Sequence, residues 1–223
     1  MTHYLYTLAL AAMCTLLPAA KAAAGDDNDA YGTTHHMAAM SGTLTSECTY
    51  QCELSYHFMP LPYVGIGAST GYWHQYNTDY WPSGKNWSMD SDDERLSNLF
   101  ITPSLLFLSP TLRLGSVGLG VMAEPGLMMN IPYERVWVHD SVDGIAMRSK
   151  SVSSHTGRWW AYTCKAALTL KIGQATFALG YHWSNYDIYT FRRHMSYNGV
   201  SFNKFYPKAQ CQYGAFAEIM VAF

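Results

Sequence analysis

The sequence predicts an all-β fold: a single up-and-down antiparallel transmembrane β-barrel of eight strands, with short turns at one end and long loops at the other. Three observations predict it. Segments of strict period-two alternation recur along most of the chain, as expected where one face of a strand meets an apolar environment. Short and long connections alternate between those segments, which describes a meander whose ends differ. Charged residues make up only 13% of the 223 residues while aromatics make up 15%, a poor coat for a water-facing surface. The formal net charge of −2 also lacks the concentration of Lys and Arg that a nucleic-acid partner requires.

The chain starts with "YLYTLALAAMCTLLPAAKAAAGDD", an apolar run followed by small residues and an acidic stretch. Residues 1–24 read as a signal peptide, with small-x-small cleavage after Ala22 or Ala24, leaving 25–223 as the barrel domain. The Met13 before Cys14 stands where a lipoprotein needs a small residue, so lipidation is not expected. An uncleaved anchor is the alternative, but the run is short for a membrane span.

Seven strands follow in order. Cys48, Tyr50, Cys52, Leu54, Tyr56 and Phe58 oppose Gln51, Glu53, Ser55 and His57, and "MPLP" turns the chain. Val64 to Trp73 carries Ile66 and Tyr72 on one face and Gly65, Gly67, Ser69 and Gly71 on the other. Ile101 to Leu108 follows, with Leu106 and Leu108 breaking the pattern on the polar side; "SPTLRLG" is the next turn. Val117 to Glu124 places Leu119 and Val121 opposite Gly118, Gly120 and Glu124. Trp160 to Lys171 sets Tyr162, Leu168 and Leu170 against Thr163, Lys165 and Thr169. After "KIGQ", Phe177 to Ser184 sets Leu179, Tyr181 and Trp183 against His182 and Ser184. Tyr213 to Phe223 closes the series, with Glu218 on the polar face. A closed bacterial barrel needs an even count, so the eighth strand is expected in residues 29–40, "DAYGTTHHMAAM", whose alternation is poor. Pro103 and Pro125 each remove a ladder donor, and Pro125-Gly126 is expected to mark a bulge.

Alternation does not by itself say which face is outside. A soluble, lipocalin-like binding barrel would carry Lys and Glu on its exterior. The polar face here is mostly Gly, Ser, Thr and Ala, suited to a narrow lumen rather than to solvent. Aromatics gather at strand ends, with Tyr72, Trp73, Tyr76, Trp159, Trp160, Tyr162, Tyr181, Trp183 and Tyr186 on the long-loop side and Tyr56, Phe58, Phe107 and Phe177 on the turn side. Such bands match the two faces of a bilayer.

Leader, alternating strands, aromatic-edged loops and the ending "YGAFAEIMVAF" together resemble the small outer-membrane β-barrels of Gram-negative bacteria, of the outer membrane protein A type. The resemblance implies a cell outer membrane location, a lipid bilayer as partner, and recognition of the last strand by the barrel assembly machinery. That assembly signal would fall on Phe223, Val221, Ile219 and Tyr213. No cofactor and no enzymatic activity are expected, and the expected role is structural or one of surface interaction.

The polar face carries what chemistry there is. Glu53, Glu124, Lys165 and His182 lie at similar distances from their nearest turns, and a buried charge requires a partner. They are expected to form a lumenal network that plugs the barrel. Cys48 and Cys52 are four residues apart on one strand, about 13 Å by strand rise, beyond the roughly 7 Å that a disulfide spans between α-carbons. With Cys164 and Cys211 they read as small lipid-facing hydrophobes, a bridge to Cys211 staying open. No metal-ligand spacing recurs around them or around His35 and His36.

Two further segments bear on function. "HWSN" at 182–185 resembles the His-x-Ser-Asn motif of outer-membrane lipid A deacylases, which would make His182 the base and Ser184 the nucleophile. The strand phase instead points both into the lumen, away from any lipid substrate, and Asp187 is the only close acid downstream. The loops offer surface binding. Residues 77–98 hold two bases against five acids, net −3, and 187–208 hold four bases against one acid, net +3. Those loops are expected either to attract each other or, through Arg192 and Arg193, to contact lipopolysaccharide phosphates.

Overall fold

The structure, a computed structural model, describes residues 35–142 and 145–223. The expected signal peptide lies outside the described residues, as does the start of the expected first strand.

Eight strands make the wall: β1 His36–Thr45, β2 Thr49–Leu61, β3 Val64–Gln75, β4 Ser97–Leu108, β5 Val117–Asn130, β6 Trp160–Ile172, β7 Ala175–Ser184 and β8 Gln212–Ala222. Each pairs antiparallel with its sequence neighbour, and β8 pairs back onto β1 from Met37↔Ala222 to Thr45↔Gly214. Closure leaves no wall strand with an open edge, which is what a sheet needs where water cannot satisfy its N–H and C=O groups. Strands of 10 to 14 residues are long enough to cross a hydrocarbon core when tilted.

The alternation read from the sequence decides which side faces out. Leu168 is 73% and Leu179 69% exposed. Their lumen-facing neighbours Ala167, Thr169 and Ala178 are buried. Leu54, Ile66, Leu105 and Val121 extend the same exposed apolar wall, an arrangement unfavourable in water and favourable in lipid.

Three features of the wall depart from the sequence expectation. The first strand begins at His36 and runs to Thr45, five residues past the expected end. Small residues and methionines on both faces hide its alternation, and pairing with β2 and β8 fixes its register. There is no bulge at Pro125-Gly126: the β5–β6 register is unbroken from Trp160↔Met129 to Lys171↔Gly118. The cost of the prolines appears instead on the β4–β5 seam, whose ladder skips from Ile101↔Met129 to Ser104↔Gly126. Gly126 suits this seam because a Cβ there would sit 2.7 Å from the Thr102 side chain and 3.1 Å from the Pro103 carbonyl. Finally, Trp73 and Tyr186 leave the outer aromatic band: both are buried, their rings meeting edge-on at 5.9 Å, and Trp73 Nε1 donates to Asn130 Oδ1 at 2.8 Å.

At the long-loop end the connections build a cap. A hairpin, Glu134–Val142 with Ile145–Ser154, pairs through its first strand with Trp87–Met89, which in turn pairs with Ser83–Gly84. Loop 185–211 folds against this sheet. Trp87 stacks on Phe202 at 5.7 Å, and Tyr189 on Tyr206 at 5.0 Å. Val136, Val138, Met89 and Met195 complete a buried core shared by all three long loops.

Candidate functional site

The lumen is filled in tiers. Near the short-turn end Met37, Met59, Leu106, Met122, Phe216 and Met220 form an apolar plug. Leu106 and Leu108, which break the alternation in the sequence, supply part of that plug on the β4 side.

Above it, Lys165 of β6 stands at the centre of a charge cage. Its Nζ lies 3.1 Å from Glu53 Oε1, 3.4 Å from Glu124 Oε2 and 3.3 Å from Glu218 Oε2, with Ser41 Oγ at 3.5 Å. The carboxylates come from β2, β5 and β8, so the ammonium joins four walls of the barrel. Glu124 is held further: Ser104 Oγ donates to its Oε1 at 2.8 Å, and His57 Nε2 lies 3.2 Å from the same oxygen. All of these side chains are buried. A lone charge in such a place would be very costly, and three surrounding carboxylates with hydrogen-bonding hydroxyls offset that cost.

Of the four residues expected to meet here, Glu53, Glu124 and Lys165 do so and His182 does not. His182 Nε2 bonds Thr163 Oγ1 at 2.6 Å, and its other ring nitrogen, Nδ1, has no protein partner. Sequence reasoning missed Glu218 and His57. Both were legible as lumen-facing. Height counted along each strand ignores the stagger of a tilted barrel. The pairing supplies it: Ser41 is opposite both Glu218 and Glu53, placing them on one level.

The "HWSN" segment has a structural part to play. Ser184 Oγ accepts from the Tyr186 backbone N–H at 3.2 Å, turning the chain out of β7. Asn185 Oδ1 accepts the Tyr162 N–H at 2.8 Å, while the Asn185 N–H donates to the Tyr162 carbonyl at 3.1 Å. The side chains of His182 and Ser184 are buried inside the barrel, not on its outer wall.

The loop arginines are also placed differently from expectation. Arg192 is only 2% exposed. Its Nε pairs with Glu134, Nη1 donates to the Glu94 carbonyl at 3.0 Å, and Nη2 donates to the Arg95 carbonyl at 3.4 Å. Burial pushes the Glu134 carboxyl above its ordinary range, and the adjacent guanidinium opposes that shift. Arg193 pairs with Asp187 and donates to the Pro207 carbonyl at 2.7 Å. The acidic and basic loops do meet, but through one arginine and backbone carbonyls, leaving neither guanidinium displayed for a phosphate.

The four cysteines among the described residues form no disulfide: Cys52 and Cys211 are exposed, Cys48 and Cys164 half-buried. Cys48 sits in the turn after β1 with φ of 52°, so it is not on the strand at all. Among the described residues, no three His, Cys, Asp or Glu side chains are arranged to hold a metal.

No protein-family model and no curated protein matches the sequence. Among solved structures, a major outer membrane protein from Thermus thermophilus aligns over 84% of this chain and 99% of its own, at 9% identity and a TM-score of 0.46. Neisserial surface protein A aligns over 84% and 96%, at 10% identity and a TM-score of 0.42. The outer membrane enzyme PagL aligns over 84% and 99%, at 8% identity and 0.42. The chain's own geometry is a sheet closed on itself, apolar outside and filled within. The molecule is an eight-stranded antiparallel barrel with the architecture of the small outer-membrane β-barrels.

Proposed function

We propose that this protein is a closed, non-conducting barrel of the outer membrane whose role is structural or one of surface interaction through its cap. The observation that carries the reading is the Lys165 cage, which links carboxylates from three other strands across mid-lumen. With an apolar plug below and an aromatic cap above, the lumen offers water no continuous file. The cap supports the surface role: a shared core holds three loops as one rigid head, the kind of scaffold on which binding residues are displayed.

The row Tyr213, Ile219, Val221 and Phe223 lies on β8 and at its end, with Tyr213, Val221 and Phe223 exposed at the outer wall. That placement supports their reading as the signal for the barrel assembly machinery. A hydrolase built on His182 and Ser184 is not proposed, because both are enclosed and each is engaged elsewhere. Nor is a lipopolysaccharide contact through Arg192 and Arg193, whose charges are neutralised within the cap.

The test is conductance in planar bilayers with purified, refolded protein. The expected result is a current no greater than that of bare lipid. Reproducible channel steps from the wild-type protein would overturn the plugged-barrel reading.

A further inference from the structure

Arg158 differs from the three cations of the long-loop end that are held by carboxylates. Arg192 and Arg193 pair with Glu134 and Asp187, and Lys150 with Asp140. Among the described residues, no carboxylate lies in ion-pair range of Arg158, which is exposed. It is nevertheless fixed in place. Its guanidinium carbon sits 4.3 Å over the Trp160 ring, Nε donates to the Trp160 carbonyl at 2.9 Å, and Nη2 reaches Asn185 Oδ1 at 3.4 Å. Asn185 is itself held by the Tyr162 N–H.

Its location adds the chemistry. Arg158 stands just before β6, at the upper edge of an exposed aromatic band of Trp160, Tyr162, Tyr181 and Trp183 on the outer wall. Amphipathic rings mark the height of lipid headgroups. A planar guanidinium stacked on such a ring, with Nη1 and part of Nη2 unengaged among the described residues, is preorganised to take a phosphate side-on.

We propose that Arg158, seated on Trp160 and braced by Asn185, is a binding site for the phosphate of an anionic lipid headgroup at the loop-side interface. The proposal rests on the membrane-spanning reading above and adds a specific lipid contact to it.

The test uses the full chain refolded into micelles containing equal amounts of phosphatidylglycerol and phosphatidylcholine, with retained lipids counted by native mass spectrometry. Wild type is expected to retain the anionic lipid preferentially. Arg158→Gln is expected to lower that preference roughly five-fold, the worth of one basic residue near an anionic surface. Arg158→Lys should restore it only in part, since an ammonium has no planar fork. Arg113→Gln, at the opposite end of the barrel, is the control and should change nothing. Equal retention by wild type and Arg158→Gln overturns the proposal. So does displacement of the lipid by inorganic phosphate, which would make the site one for a free anion. Quenching of tryptophan fluorescence by brominated lipid in the same preparations checks insertion. Its absence overturns the membrane reading and the contact with it, whereas quenching without a lipid preference overturns the contact alone.

Discussion

Lys165→Met keeps most of the side chain's stem and removes its ammonium, leaving Glu53, Glu124 and Glu218 to face one another inside the barrel. The ammonium stands 3.1, 3.4 and 3.3 Å from those three carboxylates. At an effective dielectric of about 20, each pairing represents about 5 kcal/mol of gross attraction. Repulsion among the carboxylates and the cost of desolvating all four groups cancel most of that. The measurable destabilisation should therefore be about 3–5 kcal/mol, as when one partner of a buried ion pair is removed. The assay is urea unfolding of the refolded barrel in phospholipid vesicles, followed by heat-modifiable migration on a gel. Replacing the carboxylates in the same background, with Glu53→Gln, Glu124→Gln and Glu218→Gln, should recover stability to within about 1 kcal/mol of wild type, because neutral amides no longer repel. A Lys165→Met barrel within about 0.5 kcal/mol of wild type, the range of an ordinary surface change, would refute the idea that this ammonium balances the buried carboxylates.

The cap supplies the remaining predictions. Arg192→Met leaves the half-buried Glu134 without its cation and should open the long loops to limited proteolysis while the barrel keeps its heat-modifiable migration; Arg192→Lys should not rescue it, since a compact ammonium does not span Glu134 and two carbonyls as the planar guanidinium fork does. Equal proteolysis rates in wild type and Arg192→Met would remove that role. Acid should loosen the cap through Asp90 and Asp140. The Asp92 N–H and then His139 hold the Asp90 carboxyl below its ordinary value, and the Tyr197 hydroxyl and then Lys150 do the same for Asp140. Because both folded values are depressed, their stabilisation is complete above the ordinary aspartate value of 3.8 and is lost as pH falls beneath it. Hydrogen exchange in residues 134–154, followed down to about pH 3, should rise only below that point. In the Asp90→Asn/Asp140→Asn double variant it should be raised already at neutral pH, and an unchanged acid profile would rule out these two groups.

Much of the wall is legible in the sequence because a barrel strand in lipid obeys one local rule, apolar out and small or polar in. Seven strands announce themselves that way, and the polar set correctly includes Glu53, Glu124, Lys165 and His182. What is not local is not legible. β1 is specified by its two neighbours rather than by its own alternation. Whether His182 meets a glutamate depends on the stagger between β6, β7 and β8, and the structure gives it Thr163 instead. Arg192 looks like a surface cation in a basic loop, yet its fate is decided by Glu134, 58 residues away. Leu106 and Leu108 look like errors of pattern until the lumen is seen to end in an apolar plug. The prolines mislead in a different way: a missing donor predicts a defect but not which seam absorbs it.

The seating of Lys165 also bears on how the wall is completed. Around the closed sheet, β6 and β2 are four strands apart in either direction, so the bond from Lys165 to Glu53 runs across the full width of the barrel. No open ribbon of these strands can make it. Glu218, on β8, is only two strands from β6 through β7 and comes within reach without the β8–β1 seam. The contact with Glu53 therefore works as a latch on the ring. Until β8 meets β1 the ammonium has only Glu124 and Glu218 from its own side of the sheet beside it, and full neutralisation of the interior coincides with the final seam.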